Sequence, residues 1–163
     1  GGRHSLSNIG GARQHDFGTL KLTIAHHGSM LPDGSNGGNP CGVLLSTADG
    51  TIYHAADTGL FYDMKLIGEE GIDLAILPIG AYLPRWFMSA QHSDPAEAVE
   101  AHRILGAPQS MAIHFGTFRL ADDGQEQPAR ELLAALDAAA IPPSEFWIPD
   151  NGDSRQWPPH ARR

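Results

Sequence analysis

Cysteine is nearly absent from this chain: Cys41 is the single one in 163 residues. One thiol excludes an intrachain disulfide framework and fits a reducing compartment, so a cytoplasmic location is expected. Cys41 itself reads more readily as a small packed thiol than as a nucleophile. Positive charge is also scarce, with 11 Lys and Arg against 19 Asp and Glu, a net charge of -8 and a pI near 5.5. That balance argues against nucleic acid as a partner, because phosphate-backbone binders carry a basic face. Long hydrophobic runs are missing as well. No segment reads as a bilayer span, and no basic-then-apolar leader is present. The sequence opens Gly1-Gly2-Arg3 with no initiator Met, so the natural amino terminus is expected to lie upstream. What remains is 41% hydrophobic residues, enough for one packed domain.

Histidine, in contrast, is abundant, at nine residues. His4 and His160 sit in polar termini and read as solvated, and His15 reads as a surface residue before a turn. His102 falls inside a helical stretch, where a lone imidazole usually packs or hydrogen-bonds. His26, His27, His54, His92 and His114 are left as candidates for chemistry.

Three stretches share one grammar, a short strand-like run that stops at a metal-binding side chain followed by turn-prone residues. Leu20 to Ala25 leads to His26-His27-Gly28-Ser29, Thr51 to His54 leads to Asp57-Thr58-Gly59, and Gln109 to Ile113 leads to His114-Phe115-Gly116. Side chains at the carboxyl ends of strands converge in the crevice of an open α/β sheet, which makes a metal centre the hypothesis to test.

In chain order, Asn8 to Gly11 is a turn before a strand of about residues 17–25. Residues 30–40 are too rich in Gly, Pro, Asn and Asp for a regular element, and form a loop that either lines the site or merely connects. Strands over 42–46 and 51–54 are joined through Asp49-Gly50, a hairpin signal. Leu60 to Glu70 reads as a helix and Ile72 to Leu77 as a central strand. Residues 81–92 mix Tyr82, Arg85, Trp86, Phe87 and Met88 without a period, as a lid or pocket wall would, or as a cover for the sheet. Asp94-Pro95-Ala96-Glu97 opens a helix with its cap, and Gly106 closes it. Pro128 to Ala140 is an amphipathic helix and Glu145 to Ile148 a last strand. Sheets flanked by helices, an α/β fold, are indicated.

Two overlapping pieces of the chain resemble the metallo-β-lactamase-fold hydrolases. Asn8 to Glu69, with His27-Gly28-Ser29, Pro32-Asp33-Gly34, Gly37-Gly38-Asn39-Pro40 and Asp57-Thr58-Gly59-Leu60-Phe61, is similar to bacterial metal-dependent hydrolases related to ascorbate-phosphate lactonase. Pro78 to Trp147, with Pro78-Ile79-Gly80-Ala81-Tyr82, Pro84-Arg85-Trp86-Phe87-Met88, Gln91-His92, Asp94-Pro95 and His114-Phe115-Gly116-Thr117-Phe118, is similar to the N-acyl-phosphatidylethanolamine phospholipase D group. The resemblance implies His27 as a ligand of one zinc ion, Asp57 as a bridge between two, and His114 as a ligand of the second, with manganese or iron as alternatives. Asp57 and His92 would take the catalytic roles, and Tyr82, Trp86, Gln91 and His92 would line the substrate. It also implies a hydrolase in which the ions turn water into hydroxide near neutral pH, acting on a small or lipid-like phosphodiester, or on a lactone or ester. Oligomeric state stays open.

The departures from that pattern carry equal information. The His-x-His-x-Asp-His motif of the first half of the fold is absent from this sequence. Residues 1–163 are therefore expected to form a single metallo-β-lactamase-like domain lacking its amino-terminal half, part of a four-layer αββα sandwich. Such a chain should bind metal weakly and be impaired as an enzyme, or serve as a non-catalytic domain that assembles with another half-domain. Ala56 stands where the family usually has Gly, tolerable if the backbone angles there are ordinary.

Overall fold

Alternation of apolar and polar side chains makes half-buried strands of Gly18–Ile24 and Cys41–Ser46, and the turn around Asp49-Gly50 folds the second onto Thr51–His54. A computed structural model describes residues 8–157; His4 and His160 lie outside the described residues. The elements are β1 (Ala12–His15), β2 (Gly18–Ile24), β3 (Cys41–Ser46), β4 (Thr51–His54), α1 (Met64–Gly68), β5 (Leu74–Pro78), α2 (Arg85–Met88), α3 (Pro95–Leu105), β6 (Ser110–Ile113), α4 (Gln127–Ala138) and β7 (Phe146–Trp147).

The seven strands form one sheet in sequential order, antiparallel from β1 to β4 and parallel from β4 to β7. β2, β4, β5, β6 and β7 consequently run the same way, and their carboxyl ends share one edge. Each parallel crossover steps to the next strand in the same direction, so the right-handed rule lays the intervening helices on one face. That face is the core. Register aligns Leu44, Tyr53, Ala75, Ser110 and Phe146 across five strands, and all are buried. Leu132 and Leu136 of α4 and Ala98 and Leu105 of α3 belong to the same cluster. The opposite row of Leu20, Leu45, Ile52 and Leu74 keeps partial solvent exposure. The described residues thus form a sheet with helices on one side, the α/β architecture the sequence indicates.

α3 begins as its sequence requires: the Asp94 side chain accepts from the Glu97 N–H, Glu97 returns the bond to the Asp94 N–H, and Pro95 stands at the first turn. Gly106 ends it in the left-handed conformation. His102, buried on α3, shares a 2.8 Å hydrogen bond with Ser110 of β6, and Glu145 lies 4.0 Å from its other ring nitrogen. Serine, histidine and glutamate in that order resemble a hydrolase triad in composition, but Ser110 is only 1% exposed. The trio is a clip between helix and sheet.

Three elements differ from the sequence reading. β1 is an edge strand of polar residues with no hydrophobic alternation, held through its backbone pairing with β2. His15 lies in it and stacks on Phe17. α1 starts at Met64, because Asp57 to Gly59 is bonded to other loops and residues 61–66 first make three-residue turns. The aperiodic 81–92 segment contains a single helical turn, α2, after Pro84. Trp86 and Phe87 on it are exposed, so they do not cover the sheet. Among the described residues no helix is long and apolar enough to cross a membrane.

Candidate metal centre

The shared strand edge gathers four of the candidate side chains. His27 follows β2, Asp57 follows β4, His114 follows β6, and His92 sits between α2 and α3 in the connection from β5 to β6. His114 Nε2 lies 3.3 Å from Asp57 Oδ2. His27 Nε2 lies 3.3 Å from His92 Nε2, with the two rings edge to face. His92 in turn stacks on His114, ring centres 5.3 Å apart.

Local backbone chemistry sets these positions. His114 itself adopts the left-handed region at φ 61°, unusual for a side chain branched into a ring, and its carbonyl oxygen approaches Gly80 so closely that a Cβ there would sit 2.0 Å away. Ala56, just before Asp57, also has positive φ, 59°. Its N–H donates to His54 Nδ1 at 3.0 Å, which helps hold the turn. The angle there is therefore not ordinary, and the methyl that distinguishes Ala from Gly is strained. His26 turns away from the cluster and stacks on Phe61.

Charge follows from these contacts. The hydrogen bond from His114 holds the Asp57 carboxyl below its usual range, with the His27 and His92 rings adding to the effect. The same bond raises His114 above an ordinary imidazole. Burial pushes His92 down to about 4, helped by the neighbouring His114 and His27 rings, so it is neutral at physiological pH. The His27 Nδ1–H donates to the Gly28 carbonyl at 2.6 Å, which leaves its Nε2 lone pair facing His92.

These donors suit a metal in type and in pairwise spacing. Two nitrogens or a nitrogen and an oxygen around tetrahedral zinc stand about 3.3 Å apart, the edge of a tetrahedron with ~2 Å bonds. Both close pairs have that separation. The buried Nδ1 atoms of His92 and His114 have no hydrogen-bond partner. In number the donors fall short. Among the described residues no three His, Cys, Asp or Glu side chains close around a common point as an ion requires.

Of the substrate-lining candidates, Gln91 accepts from the Gly28 N–H at 3.0 Å and lines an open pocket with His26, His27 and Met30. Trp86 is exposed and packs its ring against Phe87. Tyr82 is elsewhere: it is buried, its hydroxyl donates to Glu131 of α4, and it lines a separate pocket with Arg85, Asp94 and Pro95. Two groups that shape the edge have no site role in the sequence reading. Thr58, fully buried, bonds to the loops carrying His27 and His92, and Arg85 donates to the His92 carbonyl and to Glu97. A polar residue directly after Asp57 was the available signal for Thr58.

A β-lactamase superfamily domain model matches residues 3–115. A metal-dependent hydrolase of Thermus thermophilus is 38% identical over 139 residues, covering 85% of this chain and 58% of the relative. The metal-dependent hydrolase YtkL of Bacillus subtilis is 44% identical over 131 residues, covering 77% of this chain and 54% of its own. Among solved structures, a metallo hydrolase from the archaeon Ignicoccus hospitalis superposes with a TM-score of 0.67 at 27% identity, over 90% of this chain and 57% of that one. The chain thus spans a little over half the length of these relatives.

Proposed function

The chain belongs to the β-lactamase superfamily domain family, and from that membership we propose that it carries the carboxyl-terminal share of a metal-dependent hydrolase centre. The observation that carries the reading is the meeting of His27, Asp57, His92 and His114 at one strand edge, in two pairs each 3.3 Å across. His27, Asp57 and His114 are the residues that would hold metal, zinc by preference for mixed imidazole and carboxylate, manganese or iron as alternatives. A bound ion would supply Lewis acidity toward a phosphoryl or carbonyl oxygen and a water acidic enough to attack near neutral pH.

The chain's own groups do the rest. Asp57, kept ionised by His114, provides negative charge at the edge. His92 is neutral and desolvated, so it adds no positive charge to repel a cation. Gln91 and Met30 border the pocket beside His27, and suit a phosphodiester or an ester with an apolar portion. The name of the relatives, metal-dependent hydrolases, supports the same class.

A second reading is a non-catalytic domain that assembles with another half-domain. The half-exposed apolar row of Leu20, Leu45, Ile52 and Leu74 favours it, as does the unclosed donor set. Elemental analysis of metal per chain, on wild type and Asp57→Ala, tests the first reading. Wild type is expected to retain up to one ion per chain, weakly, and the variant none. Metal content equal in both would refute it. With three ligands, hydrolysis of bis(p-nitrophenyl) phosphate by the chain alone should be negligible even with added zinc.

A further inference from the structure

Three of the four cluster residues reach the edge on loops that have no secondary structure to fix their spacing: residues 25–29, 55–60 and 89–94. A single buried residue is bonded to all three. Thr58 Oγ1 accepts from the His26 N–H at 2.8 Å and donates to the Gly59 carbonyl at 2.9 Å. Its carbonyl accepts twice from Ser93, from the N–H at 3.0 Å and from Oγ at 3.1 Å. Gly59 completes the junction, its N–H donating to the His26 carbonyl at 3.0 Å, and its Cα packs where a Cβ would be 2.8 Å from the Ser89 carbonyl oxygen.

Thr58 therefore adjoins Asp57 in sequence, touches the residue before His27, and holds the residue after His92. Thr58 itself is 0% exposed, which shields its hydroxyl and carbonyl from water. A threonine spent on general stability would need one satisfied hydroxyl. This one spends its hydroxyl on one ligand loop and its carbonyl on another, and removing the hydroxyl would leave the part-buried His26 N–H without its acceptor.

We infer that Thr58 is the positioning residue of the centre, setting the separation of His27, Asp57 and His92 through its hydroxyl and carbonyl. This rests on reading the cluster as a metal centre for its consequence in affinity, but its geometric content stands without metal. The Thr58 hydroxyl acts through the loop backbones and touches neither ion nor substrate.

The test compares wild type, Thr58→Val, which keeps the shape and loses the hydroxyl, and Thr58→Ser, which keeps the hydroxyl. Two quantities are read on protein shown to be folded by circular dichroism: cobalt(II) affinity by absorbance titration, and the metal-free imidazole 15N spectrum, which reports the His27–His92 contact. Thr58→Val is expected to bind cobalt about tenfold more weakly or worse, as loss of a group orienting a ligand does, and to shift the His27 and His92 signals. Thr58→Ser should restore both. Unshifted imidazole signals in Thr58→Val, or Thr58→Ser as impaired as Thr58→Val, would overturn the inference. Wild type that binds no cobalt while its imidazole signals respond to Thr58→Val would sink the metal reading and leave the positioning role standing. Should Thr58→Val not fold, Ser93→Ala removes one of the two bonds to the Thr58 carbonyl. It is then expected to shift the His92 signals, and with them those of His27 in contact with it, and unmoved His92 signals would overturn the inference.

Discussion

Replacing Ala56 by glycine should make this protein more stable, against the usual expectation for an added glycine. Ala56 sits at φ 59°, in the region where a Cβ crowds the following carbonyl at a cost of about 1–2 kcal/mol for an L-residue. Glycine removes that crowding. It also adds freedom to the unfolded chain, which offsets about 0.4–1 kcal/mol of the gain. The N–H bond to His54 Nδ1 involves the backbone and is retained. The net expectation is a gain of about 1 kcal/mol, or roughly 2–4 °C in thermal midpoint for a chain of this length. Urea unfolding monitored by tryptophan fluorescence measures it directly. Ala140→Gly is the control: Ala140 has φ 55° at the exposed end of α4, far along the chain from the metal edge, and glycine there is the ordinary helix terminator. If Ala140→Gly stabilises and Ala56→Gly does not, the turn before Asp57 is not storing strain, and the account of how Asp57 is presented is wrong.

Gly80→Ala should be far more damaging, because its Cβ would lie 2.0 Å from the rigid carbonyl oxygen of His114; a loss of at least about 3 kcal/mol, at the upper end for overpacking, is expected by urea unfolding, together with loss of retained metal, and a fully stable Gly80→Ala would show that the β5 and β6 ends are looser than described. In chelated protein, stability should decline as pH falls from about 6.5 toward 4. His92 is held near 4 and His102 is lowered by burial, so the unfolded chain, with ordinary imidazoles near 6.5, takes up protons first over that window. The raised His114 gives its contribution below 6.5 in full and loses it only as pH rises through its folded value, so it adds no slope there. Thermal midpoints across that range should fall less steeply in His92→Gln; identical slopes would rule out a desolvated neutral His92.

The strand grammar made much of this edge legible. Asp57 and His114 were read as strand-end groups and do lie 3.3 Å apart, because a strand that stops at a polar side chain hands it to the crevice wherever the neighbours run parallel. Capping residues placed α3 for the same reason, since Asp94, Pro95 and Glu97 act within one turn. What local chemistry could not announce were contacts settled at a distance. Tyr82 follows a strand end like the others, yet its hydroxyl is taken by Glu131 forty-nine residues on. β1 carries no hydrophobic alternation because it is paired on one side only. Ala56 was marked by the family's usual Gly at that place, but its left-handed angle was not legible from alanine itself, which does not choose it unaided.

The strictly sequential strand order has a further effect on when the centre can exist. His27, Asp57 and His114 follow the second, fourth and sixth strands, so the pairing of Asp57 with His114 cannot form until β6 has docked against β5. On the proposed reading, retention of an ion by Asp57 and His114 together is a late readout of assembly, and added metal should raise the yield of finished molecules by trapping them rather than by guiding earlier steps.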